Sequence, residues 1–140
     1  MRINPLTSLL AVICLVVTVR AADEKAPADA GAGPAKVRMV GVEEFDRLRA
    51  NKTNVVLDVR SAAEFKTAHI PGAINIDVRS PDFEKKVSGL DKNKIYLVHC
   101  AVGGRSARAC QKMEGMGFKE LYDLHPGFAA WEKAGKPVEK

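Results

Sequence analysis

The sequence has 140 residues, of which 46% are hydrophobic, 28% charged and 6% aromatic. That size fits one ordinary domain, and the balance excludes a disordered or collagen-like chain, while three cysteines are too few for a disulfide scaffold. The formal charge of +5 comes from 22 Lys and Arg against 17 Asp and Glu; with no basic run interleaved with aromatics, it favours small anionic ligands over nucleic acid.

In chain order, Arg2 precedes an apolar stretch over residues 6–19 (LTSLLAVICLVVTV). A spanning helix needs about 20 residues, so this stretch has the length of a signal-peptide core instead. Val19 and Ala21 place small side chains at −3 and −1 of a cleavage point before Ala22. Residues 1–21 are therefore expected to be a signal peptide. Its removal sends the protein to the periplasm or outside the cell with no stable membrane anchor; an uncleaved anchor is the alternative. A lipid attached at Cys14 is disfavoured by the bulky Ile13 before it. Residues 22–36 (ADEKAPADAGAGPAK) are Ala/Gly/Pro-rich without apolar periodicity and read as a flexible leader. Residues 37–140 are expected to form one domain.

Within it, Val37–Val40 is a short apolar run, and Val42, Phe45 and Leu48 then recur at helical spacing. Residues 54–59 are β-branched and apolar, as in a strand buried on both faces. Ser61 with Glu64 three residues on makes a capping box for a helix. Ala73–Ile76 is another strand, residues 81–90 a short helix with Phe83, Val87 and Leu90 on one face, and residues 94–100 the clearest strand. A helix over 105–116 closed by Gly117, a strand over 120–124 and a helix over 128–133 complete the pattern. Strands alternating with helices predict an α/β sandwich: a mostly parallel five-stranded sheet with helices on both faces. Ligands of such sheets bind beyond the carboxyl ends of the strands, which here carry Asp58–Arg60, Asn75–Arg79 and Cys100–Arg105.

Cys100 ends one strand, residues 101–104 (AVGG) make a turn, and Arg105 and Ser106 open the next helix. Adjacent glycines let successive N–H groups converge on one point, and a helix N-terminus adds partial positive charge there. An anion is stabilised at such a point, whether a thiolate, a persulfide or a bound oxyanion. A lone cysteine is usually a small buried hydrophobe. A cysteine followed by a Gly-Gly loop and an Arg at a helix start points to a nucleophile.

Residues 65–76 (FKTAHIPGAINI), the preceding Asp58, Val59, Arg60 and Glu64, and the loop 100–106 (CAVGGRS) resemble the signatures of the rhodanese family. The tail from Gly127 through Trp131 to Val138 resembles its closing stretch, with His125 and Pro126 where a further glycine is common. The resemblance covers residues 37 to about 138. It implies a rhodanese-like three-layer α/β sandwich and a sulfurtransferase of the thiosulfate sulfurtransferase kind. Cys100 would carry sulfane sulfur as a covalent persulfide, from a small anionic donor such as thiosulfate to cyanide or a thiol, with a protein acceptor also open. By position, Ala101, Val102, Gly103, Gly104 and Ser106 would hold the persulfide, and Arg105 would grip the donor's oxyanion end. No metal or organic cofactor is implied.

Two other readings stand beside it. One is a rhodanese-like binding or sensor module, or a sulfur carrier, acting in a partner complex without turnover. The other is a cysteine phosphatase or arsenate reductase, whose C-x5-R loop is one residue longer than the interval from Cys100 to Arg105. Among the remaining residues, Asp58, Arg60 and Glu64 are expected to form a supporting charge network, with Arg60 alternatively facing the pocket. His69 is expected to be structural and His99 to point away from Cys100. His125 stands near the mouth, and Trp131 is expected in the core. Cys110 lies about five residues into its helix, a rise of roughly 7–8 Å that makes a disulfide with Cys100 marginal.

Overall fold

A computed structural model of the chain describes residues 36–140. The expected signal peptide and nearly all of the expected leader lie outside the described residues. Lys36, assigned to the leader by its composition, instead opens the first strand, because its backbone pairs with Glu120.

The chain alternates β1 (Lys36–Val40), α1 (Val42–Arg49), β2 (Val55–Asp58), α2 (Ala62–Thr67), β3 (Ile74–Asn75), α3 (Phe83–Ser88), β4 (Ile95–His99), α4 (Gly104–Gly115), β5 (Glu120–Leu124) and α5 (Gly127–Lys133). The five strands form one sheet in the order β1-β5-β4-β2-β3, and all four pairings are parallel. The interior strands β2, β4 and β5 are buried from their second residue on, whereas β1 at one edge is largely exposed.

Strand alternation sends side chains into two cores. On one face Leu57, Val98 and Leu121 pack with Phe83 and Val87 of α3 and Ala109, Cys110 and Met113 of α4. On the other, Val56, Leu97, Tyr122 and Leu124 pack with Phe45 of α1 and Phe128 and Trp131 of α5. Each fully buried large side chain contributes roughly 1.5–3 kcal/mol. Trp131 anchors the second core as expected, its Nε1–H donating to the Pro137 carbonyl at 2.8 Å. The capping box forms: Ser61 Oγ accepts the Glu64 amide while the Glu64 carboxylate accepts the Ser61 amide. The parallel order brings the carboxyl ends of β2, β4 and β5 to one edge, which is where the conspicuous residues of the sequence meet.

Candidate active site

β4 ends at His99, so Cys100 is the first residue of the loop rather than the last of the strand. Gly103 caps α4 at φ 106°, a left-handed conformation that suits glycine. A Cβ there would also overlap the His125 carbonyl oxygen. Gly127, at φ 70°, is confined in the same way by the Ala101 carbonyl. The β5–α5 turn and the cysteine loop are thus interlocked backbone to backbone. The first amides of α5 complete the contact, Phe128 N–H donating to the Cys100 carbonyl at 2.8 Å and Ala129 N–H to the Ala101 carbonyl at 3.1 Å.

Inside this loop the Cys100 sulfur is fully buried. The Gly103 amide donates to Sγ at 3.1 Å. The thiol donates to Ser106 Oγ at 3.6 Å, and the Ser106 hydroxyl donates to the Gly103 carbonyl at 3.0 Å. Burial pushes the Cys100 pKa up, but the Ser106 hydroxyl and the amides of Ser106, Gly103 and Val102 outweigh it, and the net shift is downward. These donors favour the anionic form of the sulfur within the loop. Val102 projects from its tip, 73% exposed.

Arg105 does not face an open donor site. Its Nη1 and Nη2 both donate to the Glu64 carboxylate at 2.8 Å, so the fork expected to receive an oxyanion is already filled. That pairing holds Glu64 well below the usual carboxylate range and raises Arg105. Glu64 consequently leaves the expected network with Asp58 and Arg60 and instead ties α2 to the cysteine loop.

Asp58 and Arg60 pair with each other. Arg60 Nη2 donates to Asp58 Oδ2 at 2.6 Å and to the Ala68 carbonyl at 2.7 Å, and Nε donates to both Asp58 oxygens at 3.0 Å. The guanidinium lies 4.0 Å over the Phe128 ring. Arg60 also lines a cavity of about 300 Å³ with Glu64, Ala101, Phe128, Ala129 and Glu132, so both roles weighed for it are present. A wider depression on α1, lined by Glu43, Asp46 and Arg47, lies among residues apart from the loop.

His69 is structural: its ring stacks on Phe65, and its nitrogens lie 2.9 Å from the Phe65 carbonyl and 3.1 Å from Glu139 Oε1. His99 points to the face opposite Cys100, between Phe45 and Phe128. Its Nε2 is 3.7 Å from Asp58 Oδ2, beyond hydrogen-bond reach, and burial takes its pKa down to about 4. His125 is exposed beside the loop. Cys110 is a buried thiol, free like Cys100, and burial pushes its pKa up. Asp123 was not singled out in the sequence. It is 1% exposed on the α4 face of β5, its Oδ1 has no partner, and burial raises its pKa while the nearby Ser106 hydroxyl pulls it down. A charged residue inside a β-strand flanked by core positions was the available signal. Among the described residues no cluster of His, Cys, Asp and Glu could hold a metal ion.

Residues 41–134 match the rhodanese-like domain family. The chain belongs to that family. The thiosulfate sulfurtransferase GlpE of Pseudomonas putida is 35% identical over 98 residues, covering 69% of this chain and 86% of that protein. The putative sulfur carrier protein YrkF of Bacillus subtilis is 31% identical over 93 residues, covering 66% of this chain, which spans only 49% of YrkF. Among solved structures, a rhodanese-related protein from Thermoplasma volcanium superposes with a TM-score of 0.65 at 30% identity, over 73% of this chain and 97% of that one. The rhodanese-like domain described here thus has sulfurtransferases and a sulfur carrier among its relatives, at modest identity.

Proposed function

We propose that the chain is a sulfurtransferase that moves sulfane sulfur from a small anionic donor such as thiosulfate to a thiophilic acceptor through a Cys100 persulfide. The observation that carries this reading is the Gly103 amide aimed at Cys100 Sγ at 3.1 Å inside a loop that opens α4. The Cys100 thiolate attacks the outer sulfur of thiosulfate; the new S–S bond forms as the old one breaks, and its electron pair leaves with sulfite. The acceptor, cyanide or a thiolate, then attacks the outer sulfur of the persulfide and returns the electron pair to Cys100. Gly103, Ser106 and Val102 hold the sulfur anion in each state. Arg105, closed on Glu64, acts by positioning the loop rather than by gripping the donor. No metal or organic cofactor takes part. The apolar stretch at residues 6–19 supports export, with the domain working outside the cytoplasm.

Thiocyanate production from thiosulfate and cyanide by the full chain tests the proposal. Turnover that vanishes in Cys100→Ser and persists in Cys110→Ser is expected; turnover that survives Cys100→Ser overturns it. The likeness to a relative named as a sulfur carrier favours a second reading, in which Cys100 loads sulfur and discharges it only to a partner protein.

A further inference from the structure

The cavity beside the cysteine loop is lined by one guanidinium edge and one carboxylate that make no polar contact among the described residues. Arg60 is only 4% exposed, its Nε and Nη2 are committed to Asp58 and Ala68, and its plane is fixed by Phe128. Nη1 has no hydrogen-bond partner among the described residues and is the edge left to a ligand. The Glu64 carboxylate in the same wall is occupied by Arg105. Glu132, one helical turn beyond Phe128 on α5, lines the cavity and makes no ion pair among the described residues. Four residues along a helix rise about 6 Å. Ala101 and Ala129 add small apolar surface to the same cavity, and Ala101 directly follows Cys100. About 300 Å³ lies at the small end of ligand sites.

We infer that this cavity seats the sulfur acceptor, and that the acceptor is a small thiol carrying both a carboxylate and an ammonium group, an α-amino-acid thiol. Its carboxylate binds Arg60 Nη1, its ammonium faces Glu132, and its sulfur lies toward Cys100 past Ala101. Arg60 suits the first role because a planar guanidinium edge meets a carboxylate with directed hydrogen bonds, strengthened where water is excluded. The inference rests on the sulfurtransferase reading. The acceptor thiolate, its proton given to water, attacks the outer sulfur of the Cys100 persulfide. The bond to Cys100 breaks, its electron pair returns to Sγ, and the acceptor leaves as its own persulfide.

The test loads the full chain with sulfur from thiosulfate and measures second-order discharge by L-cysteine, cysteamine and 3-mercaptopropionate, each scaled to its thiolate concentration, with cyanide as reference. Cysteamine lacks the carboxylate and 3-mercaptopropionate the ammonium. Cysteine is expected to react at least tenfold faster than either. Arg60 is paired within the core, so the variant is the exposed Glu132→Lys, which should lower the cysteine-to-3-mercaptopropionate ratio about tenfold. A binding readout independent of sulfur loading accompanies the rates: S-methyl-L-cysteine should shift the amide resonances of Ala101 and Ala129, and less so in Glu132→Lys. Discharge by cyanide with equal rates for the three thiols overturns the inference and leaves the sulfurtransferase reading standing. If the chain takes up no sulfur at all, that reading fails, and the amide shifts decide whether the cavity binds the amino acid; unmoved amides overturn the inference.

Discussion

Glu64 and Arg105 meet through two 2.8 Å hydrogen bonds across the gap between α2 and the loop that carries Cys100. Glu64 also caps its own helix through Ser61, so one carboxylate sets both the start of α2 and the position of the loop. The pair is partly exposed, which limits its contribution to stability to about 1 kcal/mol or less. Its larger consequence is geometric.

Removing the pair should therefore affect rate more than folding. Arg105→Ala is expected to keep its thermal midpoint within a few degrees of the parent while slowing persulfide formation roughly 10- to 100-fold, the effect of displacing reacting atoms by about 1 Å. The alkylation rate of Cys100 against pH should move to higher pH, since a nearby cation is lost. Unchanged kinetics would show that the loop holds its shape without Arg105.

The two loop glycines should respond differently to the same substitution. A methyl group at Gly103 enters the space of the His125 carbonyl and sits at positive φ, whereas nothing lies within 4 Å of a Cβ at Gly104. Gly103→Ala is expected to lose more than 2 kcal/mol in urea unfolding, combining backbone strain of about 1–2 kcal/mol with displacement of the β5–α5 turn. Gly104→Ala should unfold like the parent. Equal stability of the two variants would contradict the interlocked backbone.

Asp123 gives a pH-dependent expectation. Its pKa is raised in the folded chain, so the folded state holds the proton more tightly than the unfolded one. Stability from this group is greatest below the unfolded pKa near 3.9 and falls as pH rises from there through the folded pKa. Asp123→Asn removes that loss. Thermal scans should show the variant more stable than the parent at pH 8, by about 1 kcal/mol or several degrees, with the gap shrinking toward pH 4. A gap independent of pH would mean that the charge on Asp123 is not the cause.

Cys100 and Cys110 should be chemically distinct. Cys100 has a lowered pKa and amide donors at its sulfur, while Cys110 is buried between helix and sheet with its pKa pushed up. Brief iodoacetamide treatment of the native chain followed by peptide mapping should find label on Cys100 and none on Cys110. Label on Cys110 at a comparable rate would show that α4 opens.

Periodicity and turn chemistry made the fold legible. Val42, Phe45 and Leu48, the capping box at Ser61, the apolar run before Cys100 and Gly117 after the long helix each mark an element that forms close to its expected bounds. Cys100, Gly103 and Ser106 were legible at the site because their chemistry lies within seven consecutive residues. The roles of Arg105 and Glu64 were not, because 41 residues separate them and only the β2–β4 pairing brings α2 beside the loop. Glu132 and Phe128 escaped for the same reason: their place beside Arg60 depends on which way α5 faces. Asp123 was hidden by its setting, a single charge in a short strand read for its apolar neighbours.

Intact mass of the full chain after thiosulfate treatment tests the persulfide most directly, with Cys100→Ser and Cys110→Ser in parallel. A gain of one sulfur atom is expected in the parent and in Cys110→Ser, absent in Cys100→Ser and reversed by cyanide. No gain in the parent, or an equal gain in Cys100→Ser, would contradict the account.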